Sequence, residues 1–409
     1  MNLRNKILSD PINRWVFKHS RSDVFLVGGY VRDLIIDRKS ADRDFVVGGD
    51  IDKLSLDLAR KFEGKVITIS RFNICRVITR KREFIDLTPL GQNIQSNLQK
   101  RDFTINSIAW SPENGLIDPH DGMSDISNKE IRITSKKSFS DDPLRCLRVF
   151  RFAAELNFNI ERSTLAGCEE YAAGLSHIAE ERKTDEIIKL LSTSNVAGGL
   201  ELSLKIKVIN EVINPNTLNI KANIESIRKF DDFIDKVRLK YPDIYKSLKL
   251  IGILQNDISQ GMNGHCLIRM SILSYDDKSD EIHIKGLRLS NEIVWRIKLI
   301  HRALRDLPER ITKDRLFYIL NAAGKCSKEV ALILSATKRD FTMKYLKRAQ
   351  DLIRFINEKK VDGHDIQREM KITKGEHIGH MKELIYRKWF VGELKTRQEI
   401  IRFIRSNLT

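Results

Sequence analysis

Two aspartates one residue apart, Asp42 and Asp44 in SADRDFVV, are the side chains of this sequence best placed to do chemistry. On an extended strand, positions i and i+2 share a face, so both carboxylates point one way while Phe45 and Val47 turn to the other. Two neighbouring anions repel unless a cation lies between them, and Mg²⁺ takes such oxygen ligands together with substrate phosphates. A two-metal site would activate an attacking hydroxyl and stabilise a leaving pyrophosphate. A lone DxD also describes a solvated strand edge, so what precedes it matters. VFLV has the pattern of a buried strand, Gly28 and Gly29 permit a tight turn, and YVRDLIID predicts a helix with apolar Val31, Leu34 and Ile35. Strand, glycine pair and helix start form a site for phosphate, because free N–H groups and the helix dipole point outward there. Arg32, one turn in, could grip that phosphate with its fork. The segment is neither GxGxxG nor a Walker A loop, which removes support from Rossmann and P-loop readings. Asp86, in EFIDLTPL, offers a third carboxylate on another strand-like run, with structural and catalytic roles equally open.

The elements that must position these groups are short. Up to about Thr134, β-branched or aromatic runs (DVFLV, RDFVVG, KVITI, CRVIT, REFIDLT) alternate with short helical stretches, the pattern of a mixed α/β or α+β unit. From about Ser138 strand signals nearly vanish and amphipathic helices such as DPLRCLRVFRFAAEL and ERKTDEIIKLLS take over. The change falls at ITSKKSFSDDP, where a basic loop meets a helix start with Asp or Ser capping and Pro in the first turn. INPNTLN, DDKSDEIHIKG and EKKVDGHDI are expected connectors. In DPLRCLRVFRF, Arg145, Arg148 and Arg151 recur every third residue along one side, leaving Leu144, Leu147 and Phe152 for a core.

The formal net charge of +17 favours a polyanionic partner, since each Lys or Arg set against a phosphate releases counterions. There is no run of about 18 apolar residues and no signal-peptide core at the start, so a soluble cytoplasmic protein with no membrane partner is expected. Five scattered cysteines without a CxxC pair argue against a disulfide framework or a zinc site. The histidines form no HExxH and nothing read as the HD pair of a metal-dependent phosphohydrolase, so histidine chemistry is not expected.

LVGGYVRD…ADRDF resembles the signature of the nucleotidyltransferase head of the class II tRNA nucleotidyltransferase and bacterial poly(A) polymerase family. KRDFTINSIA is similar to the next family motif, DDPLRCLRVFRFAAEL to the one after, and EERKTDEIIKLL to the helix that follows. The last fifty-odd residues, with Gly363, Gly375, Gly379 and Gly392, resemble the tail of bacterial members. The resemblance implies an α+β fold: a polymerase-β-like head of mixed sheet and helices (1–137), then an all-helical neck (138–203), body (204–359) and tail (360–409). It implies that Gly28, Gly29 and Arg32 meet the phosphates of the incoming nucleotide, that Asp42 and Asp44 hold two Mg²⁺ ions with Mn²⁺ able to substitute, and that Arg101 lies beside the nucleotide. Asp142, Arg145, Arg148 and Arg151 would form the nucleotide face of the neck. Asp141 stands where the family usually has Glu, and Lys100 where Arg is frequent, a change that matters only for a bidentate contact.

An aspartate beside an arginine can read a base edge without a template. The carboxylate accepts from the exocyclic amine of C or A while the guanidinium donates to the ring nitrogen; U and G present the reverse pattern. Mispairing would leave buried polar groups unsatisfied, so CTP or ATP is expected over UTP and GTP. Family members that complete CCA carry a longer flexible segment ahead of the RRDFTIN motif. Here 87–100, LTPLGQNIQSNLQK, is short and resembles the CC-adding enzymes. The expected activity is addition of CC to the tRNA 3′ end, a separate A-adding enzyme completing it; full CCA addition with CTP and ATP, A addition and poly(A) synthesis follow as alternatives. An inactive RNA-binding relative would show damage to the carboxylate or base-reading pair, and both are intact.

Overall fold

The computed structural model describes residues 2–40, 42–70, 73–213, 219–243, 245–246, 254–277, 282, 286–305, 307–308, 310–337, 344–357, 363–370 and 376–407. The expected connectors INPNTLN, DDKSDEIHIKG and EKKVDGHDI fall largely outside these residues, as does Gly375 of the tail motif. The chain forms two compact units. The first runs to Ala179 and takes in Leu202–Glu211; the second comprises Glu180–Glu201 and the chain from Val212 onward. The stretch expected as a neck, 138–203, contributes to both.

The first unit is built on a seven-stranded sheet in the order β3-β4-β5-β2-β1-β6-β7. The strands are β1 (Val24–Val27), β2 (Asp42–Val47), β3 (Lys65–Ile69), β4 (Ile74–Ile78), β5 (Phe84–Pro89), β6 (Ala109–Ser111) and β7 (Gly115–Ile117). The first five coincide with the β-branched runs of the sequence. β6 and β7, too short to announce themselves, extend the sheet as an antiparallel hairpin. β2 pairs antiparallel with β1 and parallel with β5. This central position explains why Phe45, Val46 and Val47 are all buried despite alternating sides.

Around the sheet lie α1 (Leu3–Ser9), α2 (Pro11–His19), α3 (Gly29–Ile35), α4 (Ile51–Lys61), α5 (Ile94–Gln99) and α6 (Gly122–Asn128). Local chemistry sets their starts. Asp10 caps α2 by accepting from the Ile12 and Asn13 N–H groups with Pro11 in the first turn, and Asp50 caps α4 through the Lys53 N–H. α4 buries Ile51, Leu54 and Leu58 at helical spacing. α7 (Lys137–Asp141), α8 (Arg145–Leu156) and α9 (Arg162–Tyr171) complete the unit. The arginine helix α8 starts two residues after Pro143 rather than on it. Asp142 accepts the Leu144 N–H at 3.3 Å, while Ser138 lies buried within α7 instead of capping α8.

The second unit is helical, from α10 (Glu180–Leu191) to the C-terminal helix Arg397–Ser406, with one small hairpin among the described residues, Asp257–Ser259 against Met262–Asn263. Arg269 is its buried polar hub: it pairs with Asp231 and donates to the carbonyls of Leu191 and Thr193. The last helix opens with a reciprocal cap between Thr396 and Glu399. Among the described residues no helix is long and apolar enough to cross a membrane. The fold is α+β, a mixed-sheet head followed by a helical remainder.

Candidate active site

Strand register brings the separate sequence signals together. Val27, the last residue of β1, lies opposite Asp44 on β2. The glycine turn that follows is thereby set beside the carboxylate pair. Asp44 in turn lies opposite Asp86 in the parallel β2/β5 ladder, so the three aspartates share one face of the sheet. Gly28 adopts φ +76°, a conformation that disfavours side chains, and a Cβ there would sit 2.5 Å from Arg101 Nη1 and 3.3 Å from Asp44 Oδ2. Gly28, Asp44 and Arg101 therefore meet at one point, and the glycine is required on both conformational and steric grounds. The Gly28 N–H is spent on the Ile108 carbonyl at 3.0 Å. The N–H groups of Gly29, Tyr30 and Val31 precede the helix's own ladder, which opens with Arg32 N–H to Gly28 O.

The electrostatics at this point are unbalanced. Asp42 is exposed and Asp44 half-buried. Burial pushes the Asp44 carboxyl up; Arg101 opposes that shift, and Asp86 and Asp42 add to it. Burial pushes the Arg101 guanidinium down against the pull of Asp44 and Asp102, and its Nε is buried without a hydrogen-bond partner among the described residues. Asp86 is differently placed: Arg76, its cross-strand neighbour on β4, holds it with two bonds of 2.7 Å.

These residues suit a divalent cation with oxygen ligands. Asp42 and Asp44 supply two carboxylates on one face, and the unpartnered Arg101 Nε is a donor for an anion beside them. Among the described residues no group of three His, Cys, Asp or Glu side chains could hold a metal. Mg²⁺ is commonly bound by one or two carboxylates plus substrate phosphates, so the pair is sufficient.

Arg32 is not aimed outward from the start of α3. It is buried, donating through Nε and Nη2 to Asp33 Oδ1 (2.9 and 2.7 Å) and through Nη1 to Asn106 Oδ1 (2.6 Å). Asn106 passes the connection on, its amide donating to Asp102 Oδ1 at 3.0 Å. Asp102 Oδ2 accepts from Arg148 Nε at 2.9 Å and Nη2 at 2.5 Å. A continuous polar chain thus runs from α3 to α8. Burial alone would raise the Asp102 carboxyl, but Arg148, Asn106 and the Phe103 N–H outweigh it and hold it well below the usual carboxylate range. Beneath this chain the Phe152 ring lies 5.2 Å from the Arg32 guanidinium, 5.4 Å from that of Arg148 and 4.2 Å from that of Arg151.

Arg145 takes a third course: Nη2 donates to the Lys100 carbonyl at 2.8 Å and Nη1 to the Ser138 carbonyl at 3.3 Å. The start of α8 is thereby tied to the residue preceding Arg101. Of the three arginines expected along one side of the helix, Arg148 and Arg151 thus share the Phe152 ring, with Arg148 also paired to Asp102, and Arg145 turns to backbone carbonyls. The sequence assigns no role to Asp33, Arg76, Asp102 or Asn106, although Asp33 lies in LVGGYVRD and Asp102 and Asn106 lie in KRDFTINSIA.

The chain is similar to known proteins in both sequence and fold. Residues 24–93 and 88–132 match the family model described as "Poly A polymerase head domain", and residues 157–217 match "Probable RNA and SrmB- binding site of polymerase A". Over these residues the chain is similar to the tRNA nucleotidyltransferase and bacterial poly(A) polymerase family. It is 36% identical over 178 residues to a CC-adding tRNA nucleotidyltransferase of Geobacter sulfurreducens, an alignment covering 42% of this chain and 41% of the relative. A CCA-adding enzyme of Geobacillus is 25% identical over 401 residues, covering 93% and 91%. The structure of the Thermotoga maritima CCA-adding enzyme with tRNA superposes with a TM-score of 0.74 at 23% identity, covering 99% of this chain and 98% of that one. The fold is thus shared over the whole length, whereas the stronger sequence similarity spans under half of the Geobacter protein. Gly28, Asp44 and Arg101 all lie within residues 24–132, which match the head-domain model.

Proposed function

We propose that this protein is a cytoplasmic tRNA 3′-end nucleotidyltransferase that moves CMP from CTP onto the terminal hydroxyl with release of pyrophosphate, and that it adds the CC of the CCA end. The observation that carries the reaction class is the convergence of Gly28, Asp44 and Arg101 beside Asp42. The carboxylate pair would hold two Mg²⁺, or Mn²⁺ in their place, whose chemistry is to activate the 3′-hydroxyl and stabilise the leaving pyrophosphate. Gly28 keeps the turn open so that phosphates can approach the Gly29 to Val31 N–H groups, and Arg101 Nε donates to the nucleotide. Asp86, braced by Arg76, is the third carboxylate of this face. Arg32, Arg148 and Arg151, fixed around Phe152, hold α8 so that Asp142 and Arg145 can read the base; binding would exchange the Arg145 contacts with backbone carbonyls for contacts with cytosine. Residues 204–359 and 360–409 would receive the top half of tRNA through shape and phosphates.

The specificity for C rests on the segment between Asp86 and Arg101. It is taken up by α5, whose Ile94 and Leu98 are buried against Phe25, Val27 and Val46, whose start is capped by Asn93, and whose Leu98 carbonyl accepts from Ser107. A site that must accept C twice and then A needs a movable element. α5 is anchored on the sheet. The second reading, full CCA addition, is favoured by the near-full-length similarity to the Geobacillus enzyme. Extension of a tRNA ending at the discriminator base, with CTP, ATP or both and resolved to single nucleotides, separates the two. Two C residues and no A are expected; a complete CCA end would favour the second reading, and no extension would remove both.

A further inference from the structure

The antiparallel β1/β2 pair has two ends, and the catalytic residues use one. At the other, where Val24 lies opposite Val47, the 20–23 loop meets Gly48 and Gly49. There the Gly48 N–H donates to the Asp23 carbonyl at 2.8 Å, and a Cβ on Gly49 would fall 2.5 Å from Ser22 Oγ. Ser22 and Gly49 of these two loops both line a cavity of about 880 Å³ between α2 and α4. At roughly 3.3 Å per strand residue it lies on the order of 20 Å from Asp42.

The lining of this cavity is specialised. Trp15 and His19, one turn apart on α2, stack with ring centroids 4.4 Å apart and planes 13° from parallel. His19 Nδ1 bonds the Trp15 carbonyl at 2.8 Å, and Phe62 braces the indole edge-on, so the pair is a fixed aromatic platform. Lys18, Arg21 and Lys53 border it, all exposed and none with a side-chain partner among the described residues. The two carboxylates present are already engaged: Asp50 caps α4 through the Lys53 N–H, and Asp57 pairs with Arg60 at 3.2 Å. Lys53 lies in the first turn of α4, where the helix dipole disfavours a cation. Its place there makes sense if an anion is bound.

We propose that this cavity binds a nucleotide unit of single-stranded RNA, its base against the Trp15–His19 platform and its phosphates among Lys18, Arg21 and Lys53. Unpartnered cations beside an aromatic stack are the chemistry by which proteins hold single strands without reading sequence. The distance from Asp42 makes this a subsite separate from the transfer centre, suited to a strand segment away from the reacting 3′ end. A free nucleotide carries the same chemical groups, and the experiment tells the two sources apart.

The test is equilibrium binding in EDTA, where transfer is off, so its outcome is independent of the proposed reaction. Wild type, Arg21→Glu/Lys53→Glu and His19→Ala are titrated with a single-stranded RNA decamer carrying 2-aminopurine, and in parallel with CTP and AMP. All three replaced residues are exposed, and Lys53→Glu suits the helix dipole, so folding should persist; thermal melts check it. For the double variant we expect about ten-fold weaker decamer binding and a salt slope reduced by about one to two. For His19→Ala we expect loss of the 2-aminopurine quench, which charge alone would not produce. If instead CTP and AMP show these losses and the decamer does not, the RNA assignment is overturned in favour of a free-nucleotide site. Wild-type behaviour of both variants toward every ligand would show that the cavity binds no nucleotide.

Discussion

The carboxylate face of β2 and the arginine face of α8 handle charge in opposite ways. On β2, Asp42 and Asp44 lie beside Asp86 with too little compensation, and Arg101 contributes a buried donor that nothing among the described residues accepts. On α8, Arg148 has its aspartate, Arg151 its aromatic ring and Arg145 its carbonyls. The first region is incomplete without a ligand. The second is held mostly by partners within the protein. Underpaired charge of the first kind suits a place that takes up a ligand, and charge engaged within the protein, as for most of the second, suits one that holds geometry.

The largest effect should come from the underpaired side. Asp44→Asn is expected to lower CMP transfer to tRNA by about a thousand-fold or more, since stabilising charge as it develops in the transition state commonly contributes most to rate enhancement. Its melting midpoint in metal-free buffer should stay level or rise, because a half-buried like charge is removed. Gly28→Ala comes next, with transfer reduced about a hundred-fold. Its Cβ would displace Arg101, and φ +76° disfavours alanine. Single-turnover rates check both.

The satisfied side should respond in stability instead. Phe152→Ala removes a buried ring shared by three guanidinium groups and should cost about 3–4 kcal/mol by denaturant unfolding. Arg148→Ala should cost about 2 kcal/mol, below the value for a fully buried pair because 29% of the arginine side chain is exposed. This loss carries a pH signature. The folded Asp102 carboxyl is depressed, so its contribution is present above the unfolded value of about 3.9 and is lost as pH falls below it. The gap between wild type and Arg148→Ala should therefore narrow on acidification from pH 6 to pH 3.

Glu161→Gln is the smallest change. Glu161 caps α9 through the Ser163 and Thr164 N–H groups. Burial alone would raise its carboxyl, but these bonds and the two hydroxyls lower it to about 2. About 0.5–1 kcal/mol should be lost at neutral pH and progressively less as pH falls from about 4.5 toward 2.

The two regions also differed in how far they could be seen in the sequence. The carboxylate face was legible because its geometry is local: i, i+2 spacing places Asp42 and Asp44 on one side of a strand, and a glycine pair after VFLV marks a turn. The first five strands were legible for the same reason, being dense in β-branched residues. The arginine face was legible only as a helix. Nothing near Asp102 in the chain indicates that it meets Arg148, and Arg32, expected at a phosphate from its place after the glycines, is drawn inward by its neighbour Asp33 and by Asn106. Arg76 escaped notice because its bond to Asp86 depends on β4/β5 register, which hydrophobic pattern alone does not determine. Long-range polar pairing, more than backbone structure, is what the sequence concealed.

The most direct test of an incomplete carboxylate face is Mn²⁺ binding followed by electron paramagnetic resonance, in the presence of CTP, for wild type and for Asp42→Ala. Two ions per wild-type chain are expected, with binding weakened at least ten-fold in the variant while its melting midpoint is unchanged. Equal Mn²⁺ binding by the two proteins would contradict the account, because the metal would then be held somewhere other than the face formed by β1, β2 and the Gly28 turn.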